Sequence, residues 1–122
     1  MALIVAVDDA RTMREMVRSI LTDAGHTVLT ADDGISALNL TKEHDADLII
    51  TDLHMDEMNG IDLTKQLRVL PDYKNVPILL LTTEHSDEMK QSGRQAGASG
   101  WLTKPFNPER LTKAVNKLLS KQ

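Results

Sequence analysis

Polar residues with complementary chemistry follow the ends of four apolar runs in this chain. Asp8 and Asp9 follow LIVAV, Asp52 follows LIIT, Thr82 follows ILLL, and Lys104 follows GWLT. If these runs are parallel strands of one sheet, their carboxyl ends lie along one edge, where open α/β sheets bind ligands. The sequence therefore predicts a pocket that contains three carboxylates, one hydroxyl and one ammonium.

The predicted pocket favours a divalent cation and a phosphoryl group. Carboxylates held close together repel one another unless a cation balances their charge. A set of oxygen ligands without Cys or His suits a hard ion, so we expect Mg²⁺ rather than Zn²⁺, with Mn²⁺ as the alternative ion. The ammonium needs a further anionic group, and a phosphoryl group would contact both the metal and the lysine.

The apolar residues alternate between short continuous runs, typical of strands covered on both faces, and the spacing of amphipathic helices. Strands are predicted at residues 3–7, 27–30, 48–51, 77–81 and 98–103. Helices are predicted from Met13 to Ala24, at 34–44, 60–70 and 86–96, and from Pro108 after an Asn107 cap. We expect Met16 to face the core from the first helix and Ile35 and Leu38 from the second.

Five strands that alternate with five helices predict an α/β fold, a doubly wound five-stranded parallel sheet with right-handed crossovers. A chain of 122 residues is the size of one domain. We expect residues 1–122 to form a single domain, with no further domain after the fifth helix.

The composition excludes several classes of protein. The chain has no cysteine and no apolar run long enough to span a membrane, and its first residues do not resemble a signal peptide. The net charge of −4 argues against a nucleic-acid partner. Residues 1–72 hold fourteen acids and six bases (net −8), whereas 73–122 hold four acids and eight bases (net +4). We expect a cytoplasmic, monomeric protein without membrane insertion.

Several motifs occur together in the order of one known family. They are the paired acids DD at 8–9, Asp52 with the following M-x-x-M-x-G at 55–60, Thr82, and KPF at 104–106. Together they resemble the receiver domain of two-component response regulators, over the whole chain, and most closely the single-domain chemotaxis regulators (CheY-like). The resemblance implies a flavodoxin-like fold with strand order 2-1-3-4-5, an order carried over from that family.

The resemblance assigns a role to each acid in the pocket. Asp52 would accept the phosphoryl group. Asp9 and Asp52 would bind Mg²⁺ directly, Asp8 mostly through water, and the backbone carbonyl of His54 would add a ligand. Acids after strands are also common as helix N-caps or turn residues, which is the structural alternative for Asp8, Asp9 and Asp52.

The resemblance also assigns the residues that sense the phosphoryl group. Lys104 would neutralise a phosphoryl oxygen, with the Lys104–Pro105 bond cis as in the family. Thr82 would donate a hydrogen bond to another oxygen, although Thr83 beside it is a competing candidate. Trp101 stands where the family has its switch aromatic, usually Tyr or Phe; the alternative is a static packing residue.

Other positions are implied to tune the response. His54 and Glu84 occupy the two positions that set the lifetime of the phosphoryl group in this family. The loop after Asp52 carries Asp56 where the family usually has Pro, which removes a preset φ and, with Glu57, adds two negative charges near the metal. The last helix places bases on one side, which fits either a solvated face or an acidic partner: Arg110, Lys113, Lys117 and Lys121.

The resemblance implies a switch that catalyses its own phosphorylation and dephosphorylation and is not a metabolic enzyme. Its partners would be a chemotaxis-type histidine kinase and a downstream target, the flagellar motor or another protein, bound by the fourth helix, fifth strand and fifth helix. A phosphorelay intermediate or phosphate sink without a target is the main alternative. An Asp-based phosphohydrolase is disfavoured because its second acid is replaced by His54. A flavin carrier is disfavoured because the acidic DDART turn repels phosphate.

Overall fold

The computed structural model of the chain describes residues 1–84 and 86–120. The strands in this part of the chain are β1 (Leu3–Val7), β2 (Thr27–Ala31), β3 (Leu48–Asp52), β4 (Ile78–Thr82) and β5 (Gly100–Thr103). The α-helices are α1 (Arg11–Asp23), α2 (Gly34–Glu43), α3 (Gly60–Arg68), α4 (Asp87–Ala96) and α5 (Pro108–Leu119). A 3-10 turn, Pro71–Tyr73, follows α3.

The five strands form one parallel sheet in the order β2-β1-β3-β4-β5, which confirms the expected fold class and strand order. Every residue of β3 and of β4 is buried, as expected for central strands that are covered on both faces. The order places β3 directly between β1 and β4, so the ends of these three strands are neighbours.

The helices cover the sheet in two layers. On one face, α1 and α5 contribute Val17, Leu21, Leu111 and Val115 to a core that also contains Ile4, Leu48 and Leu79. On the other face, α2 and α3 pack around Ala37, Leu63 and Leu67, and α4 covers Leu80 through Ala96 and Met89. The alternation of strand residues between the two cores follows from the two-residue period of a strand.

Two side chains that we expected to face the core lie outside it. Ile35 is 58% exposed and Met16 is 37% exposed. The inward positions of α2 are instead the small residues Gly34, Ala37 and Thr41. Small inward residues let α2 lie close to the sheet, and in that orientation Ile35 points outward. The inward assignment of Leu38 is supported, because it packs against the second core.

Capping side chains mark where four of the helices begin. Asp33, Asn59, Ser86 and Asn107 each accept a hydrogen bond from the backbone amide three residues on. The expected Asn107 cap is therefore confirmed. The α3 helix ends at Arg68, earlier than expected, because the chain enters the 3-10 turn at Pro71. Among the described helices, none combines the length and apolar character needed to cross a lipid bilayer.

Candidate functional site

The parallel register brings the polar residues to one edge of the sheet. Asp52 and Thr82 are the last residues of β3 and β4, Asp8 follows β1, and Lys104 follows β5. Asp52 lies opposite Leu81 in the neighbouring strand, and the Lys104 amide donates to the Thr82 carbonyl at 2.8 Å. Residues from distant parts of the chain thus meet because their strands end at the same level.

Three carboxylates converge in this pocket. One oxygen from each of Asp8, Asp9 and Asp52 lies within 4.8 Å of the others. Asp8 and Asp52 are buried, whereas Asp9 is exposed at the mouth. Three hard oxygen donors at this spacing, one of them open to solvent, are the ligand set that a small divalent cation such as Mg²⁺ takes. The donor chemistry therefore fits the metal that the sequence predicts.

Lys104 supplies the positive charge of the pocket. Its Nζ donates to Asp52 Oδ1 at 2.9 Å and to Asp8 Oδ2 at 3.3 Å, and only 16% of its side chain is exposed. The Lys104–Pro105 peptide bond is cis, as the resemblance implies. The ammonium thus lies over the acids and not in solvent.

Burial and charge shift the protonation equilibria of the pocket. Burial raises the pKa of the Asp8 carboxyl and the charge of Asp52 raises it further, which outweighs the opposing hydrogen bond from Ala10 and the charge of Lys104. Burial lowers the pKa of Lys104, but the hydrogen bond to Asp52 and the two carboxylate charges outweigh it, so the net shift is upward. Without a metal, the ammonium partly balances the acids.

The loop after β1 is held by its own side chains. Asp8 Oδ1 accepts from the Ala10 amide at 2.9 Å, and Arg14 Nη1 donates to the Asp8 carbonyl at 2.8 Å. Asp8 therefore also acts as a turn residue, the structural alternative that the sequence left open. Asp9 does not cap a helix, because the N-cap of α1 is Ala10, which has no side-chain capping bond.

Gly60 lets the start of α3 approach the end of β3. A Cβ at this position would lie 2.5 Å from the Asp52 carbonyl oxygen, closer than carbon and oxygen can approach. The Gly60 amide donates to the Leu53 carbonyl at 2.8 Å. The glycine of the M-x-x-M-x-G motif is therefore required by packing directly behind Asp52, a reason that the sequence motif alone does not reveal.

The remaining predicted residues surround this pocket at different depths. Thr82 is fully buried, and its Oγ1 accepts from the Glu84 amide at 3.0 Å. Glu84 is half-buried, while His54 is exposed two positions after Asp52. Thr83, the competing candidate for the hydroxyl, is exposed. The structure places the hydroxyl of Thr82, and not that of Thr83, in the interior at the end of β4.

Trp101 lies under α4. It pairs with Leu80 in the sheet register, and a Cβ on Gly93 would lie 3.2 Å from its ring. Its Nε1 is buried and is the one such side-chain nitrogen or oxygen in the described part of the chain without a hydrogen-bond partner. A buried donor without an acceptor carries a desolvation cost.

A basic surface adjoins Trp101. A small cleft of about 120 Å³ beside the ring is lined by Lys90 and Arg94 of α4, among others. On α5, Arg110, Lys113 and Lys117 are exposed, while Lys121 lies outside the described residues. The exposed surface of α4 carries two bases, Lys90 and Arg94, and two acids, Asp87 and Glu88, so the net positive charge of this surface lies on α5.

The sequence alone did not identify two contributors to the fold around the pocket, Arg14 and Gly60 as a packing requirement, or a third contributor, Arg68, at the opposite edge of the sheet. The Arg68 guanidinium donates to the carbonyls of Tyr73, Val76 and Gly97. No local signal identifies an arginine with such contacts, since its partners lie up to 31 positions away.

Comparison with known proteins agrees with this geometry. The response regulator receiver domain family matches residues 4–116. The chain is 38% identical over 119 residues to the chemotaxis protein CheY-3 of Vibrio cholerae, covering 97% of this chain and 92% of that protein. It is 37% identical to a CheY homolog of Campylobacter jejuni, covering 95% and 91%.

A solved structure is similar to the whole fold. The chemotaxis protein CheY4 of Vibrio cholerae superimposes with a TM-score of 0.95 at 47% identity, covering 97% of this chain and 98% of that one. The family match extends from the second residue of β1 to Asn116 in α5 and includes every acid of the pocket and Lys104. The chain belongs to the response regulator receiver domain family and is a response regulator of the two-component type.

Proposed function

We propose that this protein takes a phosphoryl group from a histidine kinase onto Asp52 and thereby changes the surface formed by α4, β5 and α5. The observation that supports this most directly is the contact of the Lys104 ammonium with Asp52 at 2.9 Å, inside a cluster of three carboxylates. A pocket that bound only a metal cation would not need a lysine. A phosphoryl-accepting pocket does, because the incoming group carries its own negative charge.

The residues of the pocket have separate tasks in this proposal. A carboxylate oxygen of Asp52 attacks the phosphorus atom, and the bond from phosphorus to the donor nitrogen breaks as the new oxygen–phosphorus bond forms. Lys104 then moves its hydrogen bond from Asp52 to a phosphoryl oxygen. The Thr82 hydroxyl donates to a second phosphoryl oxygen.

A divalent cation fits the same pocket. Asp8, Asp9, Asp52 and the backbone carbonyl of His54 would hold Mg²⁺, with Mn²⁺ as the alternative ion. The bound ion would screen the charges of the carboxylate and the phosphoryl group. We assign His54 and Glu84, which occupy the two positions that set the lifetime of the phosphoryl group in this family, to the control of that lifetime in this chain.

The signal is proposed to reach α4 through Thr82 and Trp101. When Thr82 turns toward the phosphoryl group, the space behind it becomes available to the Trp101 ring. The unpartnered Nε1 of the buried indole supports this step, because a ring position in which the N–H met an acceptor would be more favourable.

The partners are proposed from chemistry and from the relatives. Because the relatives named above are chemotaxis proteins, we propose a chemotaxis-type histidine kinase as the phosphodonor and a downstream chemotaxis protein as the target. The exposed bases of α5, together with Lys90 and Arg94 beside Trp101, suit an acidic target. We also propose that residues 1–122 act as a single receiver domain.

Phosphorylation at Asp52 is tested with a small phosphodonor and Mg²⁺ in the absence of a kinase. We expect the intact mass to increase by one phosphoryl group, and peptide mapping to place that group on Asp52. The Asp52→Asn variant should not be modified. Asp56→Asn, which removes the same charge from an exposed position of the loop that follows β3, should be modified normally. Modification of Thr82 or a histidine instead would contradict the proposal.

The switch is tested by the fluorescence of Trp101, the chain's one tryptophan. We expect its emission to change when Mg²⁺ and then beryllofluoride, a phosphoryl analogue, are added. In Thr82→Ala we expect metal binding to remain and the response to beryllofluoride to be lost, because the hydroxyl provides the contact that differs between the two states. Thr83→Ala, at the exposed neighbour, serves as the control and should respond normally. An unchanged emission in the wild-type protein would show that the ring is static.

A further inference from the structure

The Arg68 guanidinium is bound by backbone oxygens on the edge of the sheet opposite to the pocket. Nη1 donates to the Tyr73 carbonyl at 2.6 Å and to the Val76 carbonyl at 2.7 Å. Nε and Nη2 both donate to the Gly97 carbonyl, at 3.0 and 2.8 Å. Among the described residues Arg68 forms no salt bridge, so carbonyl dipoles balance its half-buried charge.

These contacts hold the far end of α4. Gly97 is the C-cap of α4, where the helix dipole favours a cation. A Cβ on Gly97 would lie 2.8 Å from Arg68 Cγ, so the two residues are in close contact. Arg68 Nη2 also approaches Ser99 Oγ at 3.3 Å, and Ser99 Oγ accepts from the Ile78 amide at 3.1 Å. The end of α4 and the start of β5 are therefore joined to α3 and β4.

The near end of α4, beside the pocket, is held much less firmly. The Ser86 side chain accepts from the Met89 amide, a bond within the helix itself. In the first half of α4 the exposed residues are Asp87, Glu88, Lys90 and Gln91, and only Met89 is partly covered. The buried residues of α4, Gly93 and Ala96, belong to its second half. Trp101 lies under Gly93, between the two ends.

We propose that Arg68 is a positioning residue that makes the Gly97 end of α4 a fixed pivot, so that the switch displaces the Ser86 end while the Gly97 end stays in place. This inference rests on the proposed function and specifies how its surface changes. Motion at the Gly97 end would break the two charge-assisted hydrogen bonds from Arg68 to the Gly97 carbonyl, whereas motion at the Ser86 end breaks few contacts outside the helix. A ring that moves under Gly93 then tilts α4 about Gly97.

The pivot is tested by distance measurements between spin labels. The chain has no cysteine, so labels are attached at introduced ones. Ser19→Cys on the exposed side of α1 is the reference, paired either with Glu88→Cys near the start of α4 or with Gln95→Cys near its end; all three positions are exposed. Double electron–electron resonance spectroscopy measures each label-to-label distance with and without Mg²⁺ and beryllofluoride.

We expect the 19–88 distance to change by about 2 Å, the scale of helix shifts in switching proteins, and the 19–95 distance to stay constant. Equal changes in both pairs, a change confined to 19–95, or no change in either despite bound beryllofluoride would overturn the pivot. Fluorine-19 nuclear magnetic resonance on the same samples shows whether the beryllofluoride is bound. If no analogue binds, the proposed function fails, and the pivot fails with it.

The role of Arg68 is tested in the same labelled pairs. In Arg68→Met we expect the 19–95 distance also to change with beryllofluoride, whereas Lys65→Met, which removes an exposed base from the last turn of the same helix α3, should behave as the wild type. Arg68→Lys should be intermediate, because an ammonium lacks the planar fork that reaches three carbonyls. If the role of Arg68 were purely structural, its replacement would lower the unfolding temperature but leave the 19–95 distance constant. A constant 19–95 distance in folded Arg68→Met, or in Arg68→Lys if the first variant does not fold, would overturn the assignment.

Discussion

Asp8 is the residue at which burial and function oppose each other. It is 4% exposed and close to a second buried carboxylate, and burial together with the charge of Asp52 raises its pKa above the ordinary 3.8. A buried carboxylate is destabilising unless its charge is balanced, and here Lys104 is shared between two acids. The pocket is thus maintained at a cost in stability, as is common at functional sites.

The first prediction concerns Asp8→Asn without divalent metal. A carboxyl whose pKa is raised by folding takes up protons more readily in the folded state, so its penalty is complete at neutral pH and falls as the pH drops through the folded pKa toward 3.8. We expect the variant to raise the free energy of unfolding by on the order of 1 kcal/mol at neutral pH. The gain should disappear near the ordinary pKa of the carboxyl.

Urea unfolding at a series of pH values measures this difference. Asp23→Asn, at an exposed position at the end of α1, removes the same charge and should raise the free energy of unfolding by only about 0.3 kcal/mol, because it relieves the repulsion from the negative end of the helix dipole. If Asp8→Asn is no more stable than this control at neutral pH, the carboxylates do not repel as the geometry indicates.

At the scale of elements, the loop between β3 and α3 contains a strained residue next to the pocket. Glu57 has φ 66°, in the left-handed region that glycine favours, and it is the one non-glycine residue with positive φ among the described residues. The Met58 amide donates to the Asp56 carbonyl at 2.7 Å across it. This is the loop in which the family usually has Pro at position 56, so its conformation is maintained here without a preset φ.

The second prediction therefore concerns Glu57→Gly. We expect this change to raise the free energy of unfolding by about 1 kcal/mol, because glycine adopts positive φ without a steric cost. Asp56→Gly removes an equal charge from the same loop at a residue without positive φ, and it should be neutral or destabilising. Thermal unfolding of the two variants side by side separates conformation from charge, and a more stable Asp56→Gly would contradict the explanation.

The elements also show how far periodicity predicts orientation. For α5, Leu111, Val115 and Leu118 form a buried stripe that the sequence pattern reveals, because large apolar residues recur on one side of a long helix. For α2, the inward side consists of Gly34, Ala37 and Thr41, and the large Ile35 is exposed. Small residues contribute little to an apolar pattern, so the sequence did not reveal which side of α2 approaches the sheet.

At the scale of the whole molecule, metal binding should increase the free energy of unfolding. Mg²⁺ that binds only the folded chain raises the free energy of unfolding by roughly 1 kcal/mol when the ion is present at about ten times its Kd. This third prediction is measured by urea unfolding at increasing Mg²⁺. Asp9→Asn should abolish the increase, because Asp9 is the acid of the cluster exposed at the mouth.

Asp23→Asn again provides a control of equal charge, and it should keep the full response to Mg²⁺. A normal response in Asp9→Asn would remove Asp9 from the proposed ligand set. Mn²⁺ should act like Mg²⁺, since both take oxygen ligands in a site of this kind.

The sequence by itself determined the alternation of strands and helices, the acids and lysine at strand ends, and the family. These features depend on neighbouring residues, through side-chain periodicity, caps such as Asn107 and motifs such as KPF. Once the strands are parallel, the convergence of Asp8, Asp52 and Lys104 follows from the sheet alone.

Only the tertiary structure decided the contacts between elements that are distant along the chain. The bonds from Arg68 to Gly97 span 29 residues, the clash that keeps position 60 a glycine involves the carbonyl of another element, and the exposure of Ile35 depends on how close α2 lies to the sheet. Such contacts depend on which surfaces face each other after packing, and no local pattern encodes that. Periodicity and caps act within one element, whereas the fixed and the lightly packed ends of α4 exist only once α3, α4 and β5 are side by side.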